Sequence, residues 1–247
     1  MSTARPVFKK KHSSVGENIV VREAGWKFGG NVPKTFSQHV RRSVPFYEEG
    51  HDLVCKISDF LVRDNSICYE LGVSTGVLIK KLAQRHVQRR RVQWIGIDRE
   101  KDMIVQAKKE VKAPSVKLLA DNIVTFPYKK SDMIVAYYTM QFVPPHVRQE
   151  LFNKIYKSLN WGGGFILFEK VRAPDARFQD MMQTLYADFK LDQNFSAEEI
   201  IAKTKSLKGV LEPFSTQGNL DLLKRAGFVD VMTVFKYICF EGFLAIK

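Results

Sequence analysis

Cysteine is scarce in this chain, three in 247 residues, and Cys55, Cys68 and Cys239 stand too far apart to form a CxxC pair. That spacing excludes a disulfide framework and the usual thiolate zinc site, so no metal is expected. Cys68 and Cys239 lie in apolar runs and read as buried thiols, which makes a reducing, cytoplasmic setting the expectation. Long apolar runs are missing too. No stretch approaches the roughly 18–20 residues that cross a bilayer, and residues 133–143 are interrupted by Tyr, Thr and Gln. Residues 1–20 hold Lys9, Lys10 and Lys11 but no apolar h-region, so a secretory signal is not expected. Acidic side chains are the minority, 26 against 39 basic ones, for a net charge of +13. Such a field attracts polyanions and anionic metabolites without specifying a fold.

What the chain does have is apolar patterning. Hydrophobic residues make up 45% and recur in blocks, which excludes disorder over most of the length and suffices for one large α/β domain. The basic excess is uneven. Residues 1–44 carry nine lysines and arginines against Glu17 and Glu23, and Arg85-His86 is followed by Arg89-Arg90-Arg91. Each cluster reads either as a nucleic-acid or phosphate footprint or as a solvated tail and loop. No RNA-binding aromatic motif accompanies them, which favours the solvated reading; RNA contact through the basic N-terminus is the alternative.

From about residue 64, strands and helices alternate. Strands are predicted over 66–71, 92–97, 116–120, 133–138 and 165–168, with helices near 77–83, 103–111 and 147–159 marked by apolar residues at helical spacing. Strands separated by helices imply right-handed βαβ units and a parallel sheet. A last helix near 220–226 closes at Gly227, and strands over 229–235 and 238–246 are predicted to pair around Lys236-Tyr237. The expected fold is a Rossmann-like α/β sheet of seven strands ending in an antiparallel hairpin. Residues 1–64 form a basic lead-in, with a helix near 51–61 packing over the site. Residues 65–247 form the ligand-binding domain. Within it, residues 171–218 are a helical insertion, with helices near 178–189 and 197–207, that lies over the ligand edge or against a partner chain.

The clearest chemical signal is Glu70-Leu71-Gly72-Val73-Ser74-Thr75-Gly76, directly after a strand and opening a helix. Gly72 and Gly76 let the backbone turn tightly and approach a ligand. The turn is not GxGxxG and is weak evidence alone. Asp98, however, ends the next strand 26 residues after Gly72, where a carboxylate chelates both ribose hydroxyls. Asp121 ends the third strand, where a carboxylate accepts from an adenine amino group while the Asn122 backbone N–H reaches a ring nitrogen. A loop aspartate or surface glycine explains any one of these. The ordered set, drawn from the carboxyl ends of adjacent parallel strands, points to an adenosine ligand.

The looser glycine turn, the terminal hairpin and residues 159–164 favour S-adenosylmethionine (SAM) over NAD. Asn160-Trp161-Gly162-Gly163-Gly164 and Ala226-Gly227-Phe228 resemble the late motifs of class I SAM-dependent methyltransferases. A closer likeness rests on Trp26-Lys27-Phe28, Arg42-Ser43-Val44-Pro45-Phe46-Tyr47, Gln141-Phe142, Lys154-Ile155-Tyr156, Phe168-Glu169-Lys170, Asp188-Phe189-Lys190 and Lys224-Arg225-Ala226-Gly227-Phe228. In these the chain resembles the carboxy-S-adenosyl-L-methionine synthase family, from about residue 25 to the C-terminus. The resemblance implies conversion of SAM and prephenate into carboxy-SAM, the donor for carboxymethylating the wobble uridine of some tRNAs. It also implies a homodimer in which an arginine reaches into the partner's site to hold the donor carboxylate. By position it implies a ligand site lined by Tyr47, Gly72, Val73, Ser74, Asp98, Arg99, Asp121 and Asn122, to which the turn adds Glu70 and Gly76. Two positions depart from the family. The arginine falls on Thr204, between Lys203 and Lys205, and an asparagine at the end of strand four falls on Tyr137. Threonine cannot supply a charge-assisted bidentate grip, and a neighbouring lysine replaces it only as a flexible point charge.

Tyr137 and Tyr138 lie where a substrate would meet the sulfonium, as a catalytic pair offering cation–π contact or as a core strand end. Lys203, Thr204 and Lys205 are the candidate substrate contacts. His39, His51, His86 and His146 are scattered and read as surface or packing residues rather than a base. Glu169 and Lys170 read equally as an acid/base pair or as strand-end polar residues. No Asn/Asp-Pro-Pro-Tyr motif occurs at strand four, which disfavours methylation of DNA base amines. The expected function is methyl transfer from SAM to an unidentified small-molecule acceptor, a displacement in which positioning outweighs acid–base work. The alternatives are carboxy-SAM synthesis, with carboxy-SAM as the bound ligand, and a noncatalytic nucleotide- or RNA-binding module.

Overall fold

The computed structural model describes residues 13–14, 20–21, 25–26, 28–30 and 32–247. Arg5, Lys9, Lys10, Lys11, Arg22 and Lys27, and with them most of the basic N-terminus, lie outside the described residues. Two short strands, β1 (Ser13–Ser14) and β2 (Val20–Val21), pair antiparallel. The remaining strands are β3 (Ile67–Leu71), β4 (Gln93–Asp98), β5 (Val116–Ala120), β6 (Ser131–Tyr137), β7 (Leu159–Lys170), β8 (Asp230–Tyr237) and β9 (Phe240–Ile246). They form one sheet in the order β5-β4-β3-β6-β7-β9-β8. Neighbours are parallel except at β9, which runs antiparallel to both β7 and β8. The seven-stranded expectation and its antiparallel C-terminal hairpin hold.

Helices cover both faces, as a parallel sheet requires. On one side α2 (Tyr47–Leu61), α3 (Val77–Arg85) and α4 (Lys101–Glu110) pack Val54, Leu78, Ile79 and Ile104 against Cys68, Met133, Ile166 and Phe168. On the other, α5 (Pro145–Ser158) and α8 (Thr216–Ala226) pack Leu151, Phe152, Leu222 and Leu223 against Tyr69, Ile134, Phe165 and Leu167. Strand order reverses between β3 and β6, which opens a crevice at the carboxyl ends of the strands.

Four local expectations need correction. β7 begins at Leu159, so the Gly162–Gly164 segment lies inside the strand instead of before it. Gly162 at φ 75 and a register shift between Ser131 and Met133 let β7 absorb extra residues as a bulge. The hairpin turns at Ile238-Cys239, not Lys236-Tyr237, with Ile238 in the left-handed region at φ 48. The helix expected near 51–61 starts at Tyr47, and a further helix, α1 (Val32–Ser43), precedes it. α1 sets Val32, Phe36 and Val40 four residues apart on one face and buries Val32, Pro33 and His39, a short stripe that the sequence reading did not assign. The insertion forms α6 (Ala176–Asp192) and α7 (Ala197–Ser206), each started by a side-chain cap, from Asp175 and Ser196.

Candidate functional site

A cavity of about 990 Å³ lies at the carboxyl ends of β3, β4 and β6, under α1, α6 and α7. Glu70, Gly72, Val73, Ser74, Asp98, Arg99, Asp121, Asn122, Tyr47, Tyr137 and Tyr138 all line it. Gly76 does not. It sits at φ 81 as the N-cap of α3, and a Cβ there would come within 2.7 Å of Val111 Cγ2, so its part is to seat α3 against α4.

The turn after β3 is held from both sides. The N–H groups of Gly72 and Val73 donate to the Ile97 carbonyl at 2.8 and 3.0 Å. Opposite, the Thr139 hydroxyl donates to the Leu71 carbonyl at 2.8 Å, and a Cβ on Gly72 would collide with the Thr139 side chain. Glu70 is buried just before the turn. Its carboxyl group accepts from the Ile79 backbone N–H while Oε2 has no hydrogen-bond partner, and burial holds its pKa well above the carboxylate range.

Asp98 ends β4 with both carboxylate oxygens engaged: Oδ2 accepts from the Ser74 N–H at 2.8 Å and Oδ1 from the Glu100 N–H at 2.9 Å. Burial raises its pKa and these two bonds oppose the rise. Each oxygen keeps further acceptor capacity, and Asp98 lines the cavity. Asp121 is exposed at the end of β5, and its Oδ1 accepts from the Asn122 N–H at 2.7 Å. The N–H expected to reach a ring nitrogen is therefore spent locally, because an aspartate readily accepts from the next residue's amide. Arg99 is largely exposed and lies beside Glu100.

Behind the turn stands an aromatic wall. Tyr137 donates its hydroxyl to the Tyr47 carbonyl at 2.7 Å, and its ring packs near Tyr47, His51, Tyr138 and Phe168. Tyr138, at φ 57, stacks toward Tyr47 and packs on Phe240. Burial raises the pKa of both phenols, so neither is a ready base. His51 lies in this wall with its pKa lowered to about 3, chiefly by burial and then by Lys81, which keeps it neutral. His39 and His86 are likewise buried, against Trp26 and Trp94, while His146 is exposed.

Glu169 and Lys170 are not an acid/base pair. Consecutive strand residues face opposite ways, and each side chain has its own surroundings. Glu169 accepts from the Met140 and Gln141 backbone N–H groups near Arg148, and burial raises its pKa to about 8. Arg148, also buried, donates to the Val143 and Gln141 carbonyls at 2.7 and 3.3 Å. Lys170 enters the cavity, its ammonium 4.1 Å from the centroid of the Tyr186 ring. Lys190 reaches the same ring at 4.5 Å. The substrate contacts expected on α7 divide. Lys203 and Thr204 line the cavity, but Lys205, about 100° further round the helix, does not. Lys203 lies over the Trp26 ring, and the Thr204 hydroxyl is turned back onto the Ile200 carbonyl at 2.9 Å. Sequence reasoning missed the roles of Thr139, Tyr186 and Lys190. Only the Asp188-Phe189-Lys190 motif pointed toward the last of these, and it assigned no role.

Residues 69–163 match the family described as "Methyltransferase domain". The chain is 35% identical over 223 residues to a carboxy-S-adenosyl-L-methionine synthase of Staphylococcus epidermidis, covering 90% of this chain and 97% of that protein. It is 36% identical over 227 residues to the synthase of the same name from Campylobacter lari, covering 91% and 96%. Among solved structures, human N-acetylserotonin methyltransferase in complex with SAM superposes with a TM-score of 0.61 at 17% identity. The match covers 88% of this chain and 56% of that longer one, a likeness of fold.

Proposed function

The chain belongs to the carboxy-S-adenosyl-L-methionine synthase family of SAM-dependent enzymes, and we propose that it transfers the SAM methyl group to a small acceptor held in the same cavity. The observation that carries this reading is the cavity itself. At about 990 Å³ it stands at the top of the roughly 300–1,000 Å³ range of small-molecule sites. It extends past the glycine turn and the tyrosine wall to Lys170 and Lys190 under α6. That is room for a donor and a second small molecule, beneath a helical cover.

The residues fit the donor. Asp98 offers free lone pairs for the ribose hydroxyls, and Asp121 stands one strand further out on the adenine side. Gly72 brings bare backbone to the cavity wall, with Thr139 filling the side on which its Cβ would stand. Glu70 Oε2, buried without a partner, is an acceptor for the amino-acid end. When bound, SAM supplies an electrophilic methyl carbon on a sulfonium. The protein's contribution is placement: Asp98, the turn and Glu70 hold one reactant, and the Tyr47–Tyr137–Tyr138 wall excludes water from the space beside it. Burial makes both phenols and His51 poor bases, so an acceptor that is already nucleophilic suits the space beside the tyrosine wall.

The relatives' shared name favours a second reading, carboxy-SAM synthesis from SAM and prephenate in the service of tRNA wobble-uridine modification. Against it stand Thr204, with its hydroxyl spent on Ile200, and Tyr137, with its hydroxyl spent on Tyr47. Mass spectrometry of the nucleoside released from freshly purified, denatured protein separates the two. SAM or its demethylated product supports methyl transfer, and carboxy-SAM supports the second reading. The homodimer implied by the resemblance is checked on the same preparation by light scattering.

A further inference from the structure

The edge of the sheet opposite the cavity, where the parallel strands begin, is basic. In spatial order Arg89, Arg90 and Arg91 precede β4, Arg63 precedes β3, Lys129 and Lys130 precede β6, Lys157 ends α5 before β7, and Lys247 follows β9. All but Lys247 are exposed, and none lines the cavity. Neighbouring strands lie about 4.8 Å apart, so the row from β4 to β9 is about 19 Å long. Two of these charges have a local use. Lys130 and Lys247 donate to the Lys157, Tyr156 and Leu159 carbonyls at the end of α5, where cations offset the helix dipole. The side chains of Arg63, Arg89, Arg90, Arg91 and Lys129 make no hydrogen bond and no ion pair among the described residues. The acids interspersed along this edge are engaged: Asp64 accepts from the Arg90 backbone N–H at 3.0 Å and Asp132 from the Asn160 amide at 2.8 Å. Glu110 and Asp230 flank the row at the ends of α4 and β8.

At the β7 position of the row stands Trp161, 89% exposed, while Trp26 and Trp94 are buried. No ring packs on it among the described residues. It lies in the bulge of β7, and the N–H of the next residue, Gly162, donates to the Lys247 carbonyl at 2.7 Å, which pins the indole's backbone beside that lysine. Leaving an indole in water forgoes the burial that an aromatic ring of 150–250 Å² ordinarily gains. The arginine cluster and this aromatic are far apart in sequence, and only the strand order puts them on one edge.

We propose that this edge binds a single-stranded polynucleotide, with Trp161 as the platform for one base and the arginine and lysine row along its phosphates. A linear row of cations matches a linear polyanion, and an indole face stacks on any base. One ring among separated cations suits a chain that alternates base and phosphate. A lipid surface takes up a continuous apolar face instead. The inference is independent of what the cavity binds.

The test is fluorescence anisotropy on the full chain, with a labelled 12-nucleotide oligouridylate and an oligothymidylate of the same length. At 50 mM salt at least one is expected to bind with a Kd below about 100 μM, and the tighter of the two identifies RNA or DNA as the source. Trp161→Ala is expected to weaken that binding at least fivefold, the low end of one lost base stack, and Trp161→Phe to restore most of it. Arg89→Gln, Arg90→Gln and Arg91→Gln combined are expected to lower the slope of log Kd against log salt by about 2. Because all four side chains are exposed, the variants are expected to melt within 2 °C of the wild type. Failure of Trp161→Ala to fold overturns the indole as a free surface ring, and Trp161→Phe then tests the platform. Binding of neither oligonucleotide, affinity unchanged in Trp161→Ala, an unchanged salt slope in the triple variant, or tighter binding of a duplex of the same length overturns the proposal. Binding to phosphatidylserine vesicles without binding to either oligonucleotide overturns it as well, and assigns the edge to a membrane surface.

Discussion

The Asp98 carboxylate accepts the Ser74 backbone N–H at 2.8 Å, so the end of β4 and the glycine turn after β3 form one unit. Asp98→Ala removes the proposed ribose ligand and also strands two backbone donors, those of Ser74 and Glu100. Expected are a stability loss of about 1–3 kcal/mol and at least a tenfold weaker S-adenosylhomocysteine Kd, by calorimetry. Asp98→Asn keeps one acceptor oxygen and falls between the two.

Gly72→Ala meets two obstacles, a φ of 73 and the Thr139 side chain. A loss of about 1–3 kcal/mol is expected in urea unfolding. Adding Thr139→Ala removes the collision but not the unfavourable φ, and it forfeits the hydroxyl's bond to the Leu71 carbonyl. The double variant therefore recovers part of the loss at most.

Tyr137 is expected to behave as a packing residue. Tyr137→Phe loses one hydrogen bond to the Tyr47 carbonyl and costs about 1 kcal/mol. Tyr137→Asn, which introduces the residue the family pattern has there, empties the space between Tyr47, His51 and Phe168 and costs about 3–5 kcal/mol. Thermal unfolding of the two variants measures the difference.

Glu169 holds its proton up to about pH 8 in the folded protein, against an ordinary 4.5. Between those values the folded state binds the extra proton, so this contribution is complete below pH 4.5 and is lost as pH rises through 8. Stability of the wild type relative to Glu169→Gln is expected to fall by about 1–3 kcal/mol from pH 5 to pH 9, in paired denaturation curves.

Lys190 gives the opposite slope. Its pKa is lowered to about 8 from 10.5, first by burial and then by Lys170, while Cys239 opposes the shift. Between pH 8 and 10.5 the unfolded chain binds the extra proton, so stability rises with pH through that window. The penalty is fully present below pH 8. Relative to Lys190→Met, the wild type is expected to gain about 1–3 kcal/mol between pH 7.5 and 10.5.

The sheet was legible because its signals are local. Period and punctuation mark β3 to β6 and their helices within a residue or two, and the glycine turn with Asp98 and Asp121 follows from strand order. α1 was not read from the sequence, although Val32, Phe36 and Val40 recur every four residues on one face, because so short a stripe in a basic segment is a weak signal. Nor was the bulge in β7, where a glycine run reads as a turn until its register against β6 is known.

The amino-acid order by itself determined the architecture, the cavity-bearing edge of the sheet and the family, because each depends on residues near one another in sequence or on a fixed order of motifs. Tertiary structure alone decided which polar groups share the cavity. β7 is buried on both faces, Phe165 and Leu167 toward α5, Ile166 and Phe168 toward α2. Alternation along it could not say whether Glu169 or Lys170 meets the ligand space. Lys190 comes from a helix twenty residues later, and only the fold of the insertion over the sheet edge sets it on the same ring as Lys170. Charge interactions of that kind act through space, and no local pattern in the chain encodes them.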